Sequence, residues 1–268
     1  MDRIHEIAFL VLGALAMGGA VLLVHPVLTT VGISFYRTNG LVFLITFLLG
    51  LIIGSPVIFT GAFSLSYAAF FYLTALLILL FYNLRLWFRN PYSSPVLLFA
   101  VFLFGMSGIL ISLKDFAGLQ TPPFLFFLIA LHAVIGSLLL GAGTLAMLLG
   151  HSYLTRPTLS IVPLLSLSKL FMGLVFLEGL IAIVYLVLAA AYQAVMNAIL
   201  LHSFEGLYLW IRFLIGMIGP MVLAPMIIKT VEERATMSAT GLLYIAMLMV
   251  IIGALFSRFF ILIGASFI

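Results

Sequence analysis

Three ionisable residues, His132, Glu178 and Arg212, lie inside stretches otherwise almost free of charge. Charge in hydrocarbon is costly, so such residues point to a function and to a partner. At 1.5 Å per helical residue, His132 lies about 13 Å past Pro123, Glu178 about 13 Å past Lys169 and Arg212 about 9 Å past Gly206. His132 and Arg212 enter from one face of a membrane and Glu178 from the other, so all three can meet in its middle to outer part. There Arg212 can keep Glu178 ionised, and a neutral His132 beside a carboxylate can accept and pass on protons near pH 7. With His202 and Glu205 in the connection before Arg212, the set reads as an exit path for protons. The plainer alternative is a Glu178–Arg212 pair that only pins two helices together.

The histidines suggest a second chemistry, haem ligation. His5 and His25 are 25 − 5 = 20 residues apart, and His132 and His151 are 151 − 132 = 19 apart, a spacing that would suit two b-type haems stacked across a membrane. Helical geometry opposes that pairing, because at about 100° per residue His5 and His25 point to opposite faces and His132 and His151 diverge by about 100°. A single haem b with His132 as iron ligand remains open. His25 and His151 are cofactor-binding candidates or, equally, interfacial side chains at helix ends. Gly136 and Gly143 can form a groove for a flat ring. Together with Gly13, Gly18, Gly19 and Gly141 they can also let helix backbones approach closely in lipid.

The elements that would position these residues follow from composition. Hydrophobic residues make up 66% of the 268 and charged ones 7%, where a soluble domain carries about 25% charged. Apolar runs and polar breaks give eight spans, roughly Ile7 to Val24, Gly40 to Phe59, Ser66 to Tyr82, Pro95 to Leu113, Phe124 to Leu149, Leu170 to Tyr192, Leu207 to Ile228 and Gly241 to Ile263. Each has about the 20 residues needed to cross a bilayer. The expected fold is therefore an all-α integral membrane protein with eight transmembrane helices, one polytopic domain over residues 1–268. The net charge of +4 is not a nucleic-acid signal, because the basic residues sit at helix ends. Arg37, Arg85, Arg89, Arg156, Lys169, Lys229 and Arg234 fall on one side; Arg3, Lys114 and Arg258 fall on the other. That bias predicts an inner (cytoplasmic) membrane protein with the first group in the cytoplasm and both termini outside. Trp87, Tyr92, Tyr208 and Trp210 fit interfacial belts. The first apolar run lacks a plausible cleavage site and reads as a retained helix. With no cysteine, disulfides, iron–sulfur ligation and c-type haem attachment are excluded.

The spans also form two sets of four. LGALAMGGAVLLVHP in the first and LLLGAGTLAMLLGHSY in the fifth are both small-residue helices ending in histidine, with Tyr36-Arg37 and Tyr153 to Arg156 following. Repeats over 1–115 and 122–268 would be parallel, giving two four-helix bundles, unless apolar helices are merely alike. In the segment Gly150 to Pro157, glycine reads as closing the helix, and His151, Tyr153, Thr155 and Arg156 offer donors to an anionic headgroup or a soluble partner. Pro220 and Pro225 predict a kink in the seventh span. KTVEER, Lys229 to Arg234, reads as a solvated turn. No phosphate loop, Ser/His/Asp set or His-x-x-x-His pair is present.

Eight helices in two bundles, intramembrane His, Glu and Arg towards the outer half, and a last helix reading GALFSRFFILIGASF from Gly253 through Arg258 to Gly264 together resemble the NrfD, PsrC and DmsC type of quinol-interacting membrane subunit. The likeness spans the whole chain in architecture. The short amino terminus and the SATGLLY segment depart from it. The resemblance implies a respiratory electron-transfer subunit that oxidises quinol or reduces quinone, menaquinone or ubiquinone. Electrons would pass to a haem or to a partner redox subunit, and His132, Glu178 and Arg212 would be candidates for the quinone site. Two other readings stand beside it: a secondary transporter with Glu178 and Arg212 at the midplane, and a non-catalytic scaffold packed through its glycine faces.

Overall fold

A computed structural model describes residues 4–58, 63–88, 94–117, 123–156, 159–189, 197, 199–201 and 204–263. The expectations that fall on Arg3, Arg89, Tyr92, Pro157, His202 and Gly264 lie outside these, and the side chain of Glu205 is not described. Among the described residues all regular structure is helical. The order is α1 (Ile4–Leu22), a 3-10 turn (Pro26–Thr30), α2 (Ile33–Ile58), α3 (Phe63–Phe88), α4 (Pro95–Ala117), α5 (Pro123–Thr155) and α6 (Val162–Ala189). The seventh span is composite: α7 (Phe204–Phe213), a π-helical turn (Leu214–Ile218) and α8 (Gly219–Glu232). The last helix is α9 (Thr236–Ile263). Eight segments are long and apolar enough to cross a membrane, which makes this an all-α membrane fold. Ile52, Leu77, Leu103, Val187, Val222 and Leu248, on six different helices, are all exposed. An aqueous surface would not carry so much apolar area.

Within the first half, α1 packs on α2, α2 on α3, α3 on α4, and α4 returns to α1. Within the second, α5 packs on α6, α6 on α8, α8 on α9, and α9 returns to α5. The seam between the two rings is α1 against α5. Glycine makes that approach possible: a Cβ on Gly18 would strike the Ser137 carbonyl, and one on Gly141 would strike the Gly18 backbone. Around it Phe9, Leu10, Ala14 and Met17 are fully buried.

Several boundaries differ from the sequence reading. Gly150 does not close a helix, because α5 continues through it to Thr155. Its missing side chain instead admits Thr240 of α9, whose Oγ1 would lie 2.8 Å from a Cβ there. Helix α6 begins at Val162, ahead of Leu170, and α2 at Ile33, ahead of Gly40. In α2 the early polar residues Thr38 and Asn39 bond to the helix's own backbone, Thr38 Oγ1 to the Ser34 carbonyl at 3.0 Å and Asn39 Nδ2 to the Phe35 carbonyl at 2.8 Å, so they do not end the helix. Early in α6, Ser166 Oγ instead meets His25 Nε2 at 3.5 Å. The irregularity expected from Pro220 appears as the π turn just before it. Proline has no N–H to give to the carbonyl of Gly216, and the chain accommodates the gap by widening.

Candidate functional site

All the charged side chains buried deep in the described helices gather in the second ring, one helix contributing each. His132 projects from α5, Glu178 from α6, Arg212 from α7, and Ser257 with Arg258 from α9. Close packing brings them within reach. Gly216 in the π turn meets Gly253 of α9 backbone to backbone, which draws Arg212 against α9 and α5. A Cβ on Gly136 would stand 3.4 Å from Glu178 Oε1 and 3.8 Å from Arg258 Nη2, so glycine there leaves room for the polar groups.

The histidine is the hub. Its Nδ1 lies 2.7 Å from Glu178 Oε1, and at that separation one of the two must carry the proton between them. Its Nε2 lies 2.6 Å from Ser257 Oγ and 3.4 Å from Arg212 Nη2. A guanidinium can only donate, so Nε2 accepts. This arrangement selects a neutral imidazole with its proton on Nδ1, facing the carboxylate. Arg258 Nη1 donates to Ser257 Oγ at 3.4 Å. Arg258 is 1% exposed, and its Nε and Nη2 have no hydrogen-bond partner among the described residues; nor does Glu178 Oε2. Two guanidinium groups therefore face one carboxylate, leaving an excess of positive charge in an apolar surround.

The cluster encloses a cavity of about 40 Å³, room for about three waters at roughly 10–15 Å³ each. It is not sealed, since the side chains of His132 and Glu178 keep 11% and 15% of their exposure. Ala182, Gly216 and Met217 line it, and Leu177, Leu180, Leu214 and Ile215 beside them are exposed apolar residues. Its rim, between α6 and the π turn, thus faces lipid.

Of the residues singled out in the sequence, His132, Glu178, Arg212 and Gly136 come together. The contact differs from the pair drawn there: Glu178 meets His132, and Arg212 reaches the far side of the same ring. His25, Gly143 and His151 lie elsewhere. His25 Nε2 is 3.5 Å from Ser166 Oγ of α6, and burial holds this imidazole below its ordinary pKa, so it is neutral at pH 7. Gly143 is filled over by Phe171 and Met247 in ordinary helix packing. His151 is exposed at the opposite end of α5 from His132. Ser257 and Arg258 were not among the sequence candidates. Arg258 carried a signal, being the one charge embedded in Gly241 to Ile263 and part of the motif behind the family resemblance, although that reading gave it no place in the site; Ser257 carried none.

A haem does not fit at His132. Both ring nitrogens are engaged, and the cavity is far below the roughly 300–1,000 Å³ typical of sites for sizeable ligands. Among the described residues no three of His, Cys, Asp and Glu gather as metal ligands. The chain matches no family model, no curated protein and no solved structure.

Proposed function

We propose that the chain is the membrane subunit of a respiratory electron-transfer complex, of the NrfD, PsrC and DmsC type, and that the His132 cluster takes protons from a quinol. The observation that carries the reading is the contact of His132 Nδ1 with Glu178 Oε1 at 2.7 Å in a cavity flanked by exposed apolar residues. A lipid-soluble substrate reaches such a rim from the bilayer. A quinone ring exceeds the cavity, so it would remain at the rim with only a hydroxyl edge directed to His132.

On this reading Nε2 accepts a proton from the quinol hydroxyl in place of the Ser257 hydroxyl, and Nδ1 releases its own proton to Glu178. Arg212 and Arg258 stabilise the negative charge that develops on the oxygen, as preorganised donors do in a water-poor site. Two protons and two electrons leave each quinol. The electrons pass to a one-electron carrier, haem or iron–sulfur, in a partner subunit, since His132 has no room for haem. On this reading the protons leave towards the outside, the face that the charge bias would put opposite the basic end.

The experiment is quinol turnover in membranes carrying the whole complex. Glu178→Gln and His132→Ala are each expected to lower the rate by about 10²- to 10⁴-fold, the usual contribution of a positioned proton acceptor. Unchanged turnover in both would end the quinol reading. A specific observation favours one rival: the excess positive charge around a cavity of about 40 Å³ would also suit a small anion carried together with a proton. Glu178-dependent flux of such an anion into liposomes holding the isolated chain would support that transporter instead.

A further inference from the structure

A second polar cavity lies at the other end of the molecule, the end that carries most of the basic residues. It has about 200 Å³ between the start of α2 and the end of α5, lined by Ser34, Thr38, Asn39, His151, Ser152 and Arg156. It adjoins an open, largely apolar groove of about 480 Å³ on the outer face of α2, where Arg37, Leu41, Val42, Ile45 and Trp87 form the walls. Ser34 and Thr38 belong to both. A polar chamber thus continues directly into an apolar trough that faces lipid.

The chemistry of the chamber specifies its ligand. Arg156 Nη1 donates to Ser34 Oγ at 3.2 Å, which aims a largely uncommitted, exposed guanidinium across the chamber mouth. Arg37 is held at the trough by donating from Nε to the Leu86 carbonyl at 2.9 Å and by lying 5.1 Å over the Trp87 ring. No aspartate or glutamate lines either space among the described residues. Two guanidinium groups with the Ser34 and Thr38 hydroxyls shared by both spaces have the chemistry that recognises a phosphate. A further observation sharpens it. Asn39 is 2% exposed and donates from Nδ2 to the Phe35 carbonyl at 2.8 Å, which leaves Oδ1 as an acceptor with no partner among the described residues. A buried acceptor without a donor is costly, and a ligand hydroxyl would satisfy it.

We infer that this composite site binds an anionic glycerophospholipid, its phosphate held between Arg156 and Arg37, a headgroup hydroxyl directed to Asn39, and an acyl chain along Leu41, Val42 and Ile45. Neither a soluble phosphate nor a zwitterionic lipid satisfies every part of it: the first leaves the trough empty, and the second brings a cationic headgroup into a chamber with no acid. Trp87 at the trough is the expected interfacial anchor. The site is independent of the quinol reading, lying at the opposite membrane face from His132.

The test is native mass spectrometry of the delipidated full chain, titrated with phosphatidylglycerol or phosphatidylcholine, with glycerol 3-phosphate as competitor. Phosphatidylglycerol should be retained on the order of tenfold more strongly, as expected for two cations at an anionic headgroup. Arg156→Gln alone, at an exposed position that folding tolerates, should remove most of that preference, and Arg37→Gln added to it should remove the rest. Leu41→Trp, which fills the trough, should weaken the lipid but not glycerol 3-phosphate, and Arg234→Gln should change nothing. Equal retention of the two lipids, or a preference that survives Arg156→Gln with Arg37→Gln, overturns the proposal. Displacement of the lipid by equimolar glycerol 3-phosphate would assign the chamber to a soluble anion and overturn it as well.

Discussion

An arginine buried to 1% exposure, with only Nη1 hydrogen-bonded among the described residues, is an expensive residue to keep in an apolar helix. Arg258 is in that position, so its contribution should be sought in chemistry and not in stability. Replacing it with leucine removes a desolvated charge from lipid, and the fold should be retained or even stabilised. Quinol turnover should nevertheless fall by about 10²- to 10³-fold, the cost of losing one donor to a developing anion. Arg258→Lys, which keeps the charge but loses the fork, should be intermediate. Folded yield and turnover measured on the same membranes separate the two effects, and parallel loss of both would make Arg258 a structural residue. At this scale much of the site was legible. His132, Glu178 and Arg212 stand out because each is alone in its apolar run, and helical rise was enough to bring them to one depth. The histidine beside the carboxylate was expected, but the place of Arg212 was not legible, because which of two groups a guanidinium reaches depends on helix rotation and on sub-ångström packing. Ser257 was invisible for a related reason: a serine in a membrane helix usually bonds its own backbone, as Ser137 does to the Ala133 carbonyl at 2.6 Å.

At the scale of elements, glycine decides how near two helices lie, and the contacts sort the glycines in a way that spacing cannot. Gly18 meets a backbone carbonyl across the α1–α5 seam, whereas nothing lies within 4 Å of a Cβ built on Gly173. Gly18→Leu should therefore prevent the seam from closing and abolish recovery of monodisperse protein. Gly173→Ala should be neutral, or stabilising by up to about 1 kcal/mol through helix propensity. Size-exclusion recovery and thermal unfolding in detergent report both, and a well-behaved Gly18→Leu would remove the seam from the account. Span existence could be read from hydropathy, yet span limits could not. Polar first turns at α2 and α6 look like connections by composition, although Thr38 and Asn39 of α2 bond their own helix and Ser166 of α6 meets His25. Gly150 looks like a terminator, although its role is to admit Thr240 from α9. The prolines of the seventh span forecast an irregularity, while its form as a π turn that seats Gly216 on Gly253 required the neighbouring helix.

Across the whole molecule, the two rings share an order of packing but differ in content. The third and fourth helices of the first ring meet through an uncharged contact, Tyr72 Oη to Ser112 Oγ at 2.8 Å, with Phe9 edge-on to Tyr72 at 4.9 Å. The corresponding interior of the second ring holds the histidine, the carboxylate and both guanidinium groups. The charged cluster thus lies in one ring, and the α1–α5 seam joins it to the other. On the proposed reading, a quinol or quinone from the bilayer binds at the cluster's rim beside the His132 imidazole. The measurement that tests this most directly is the quinone content of the chain purified in native lipid, determined by solvent extraction of the wild type and of the His132→Ala and Arg212→Leu variants. The account predicts bound menaquinone or ubiquinone in the wild type and its loss in both variants at equal folded yield. Absence of quinone from the wild type, or equal content in all three proteins, would contradict it.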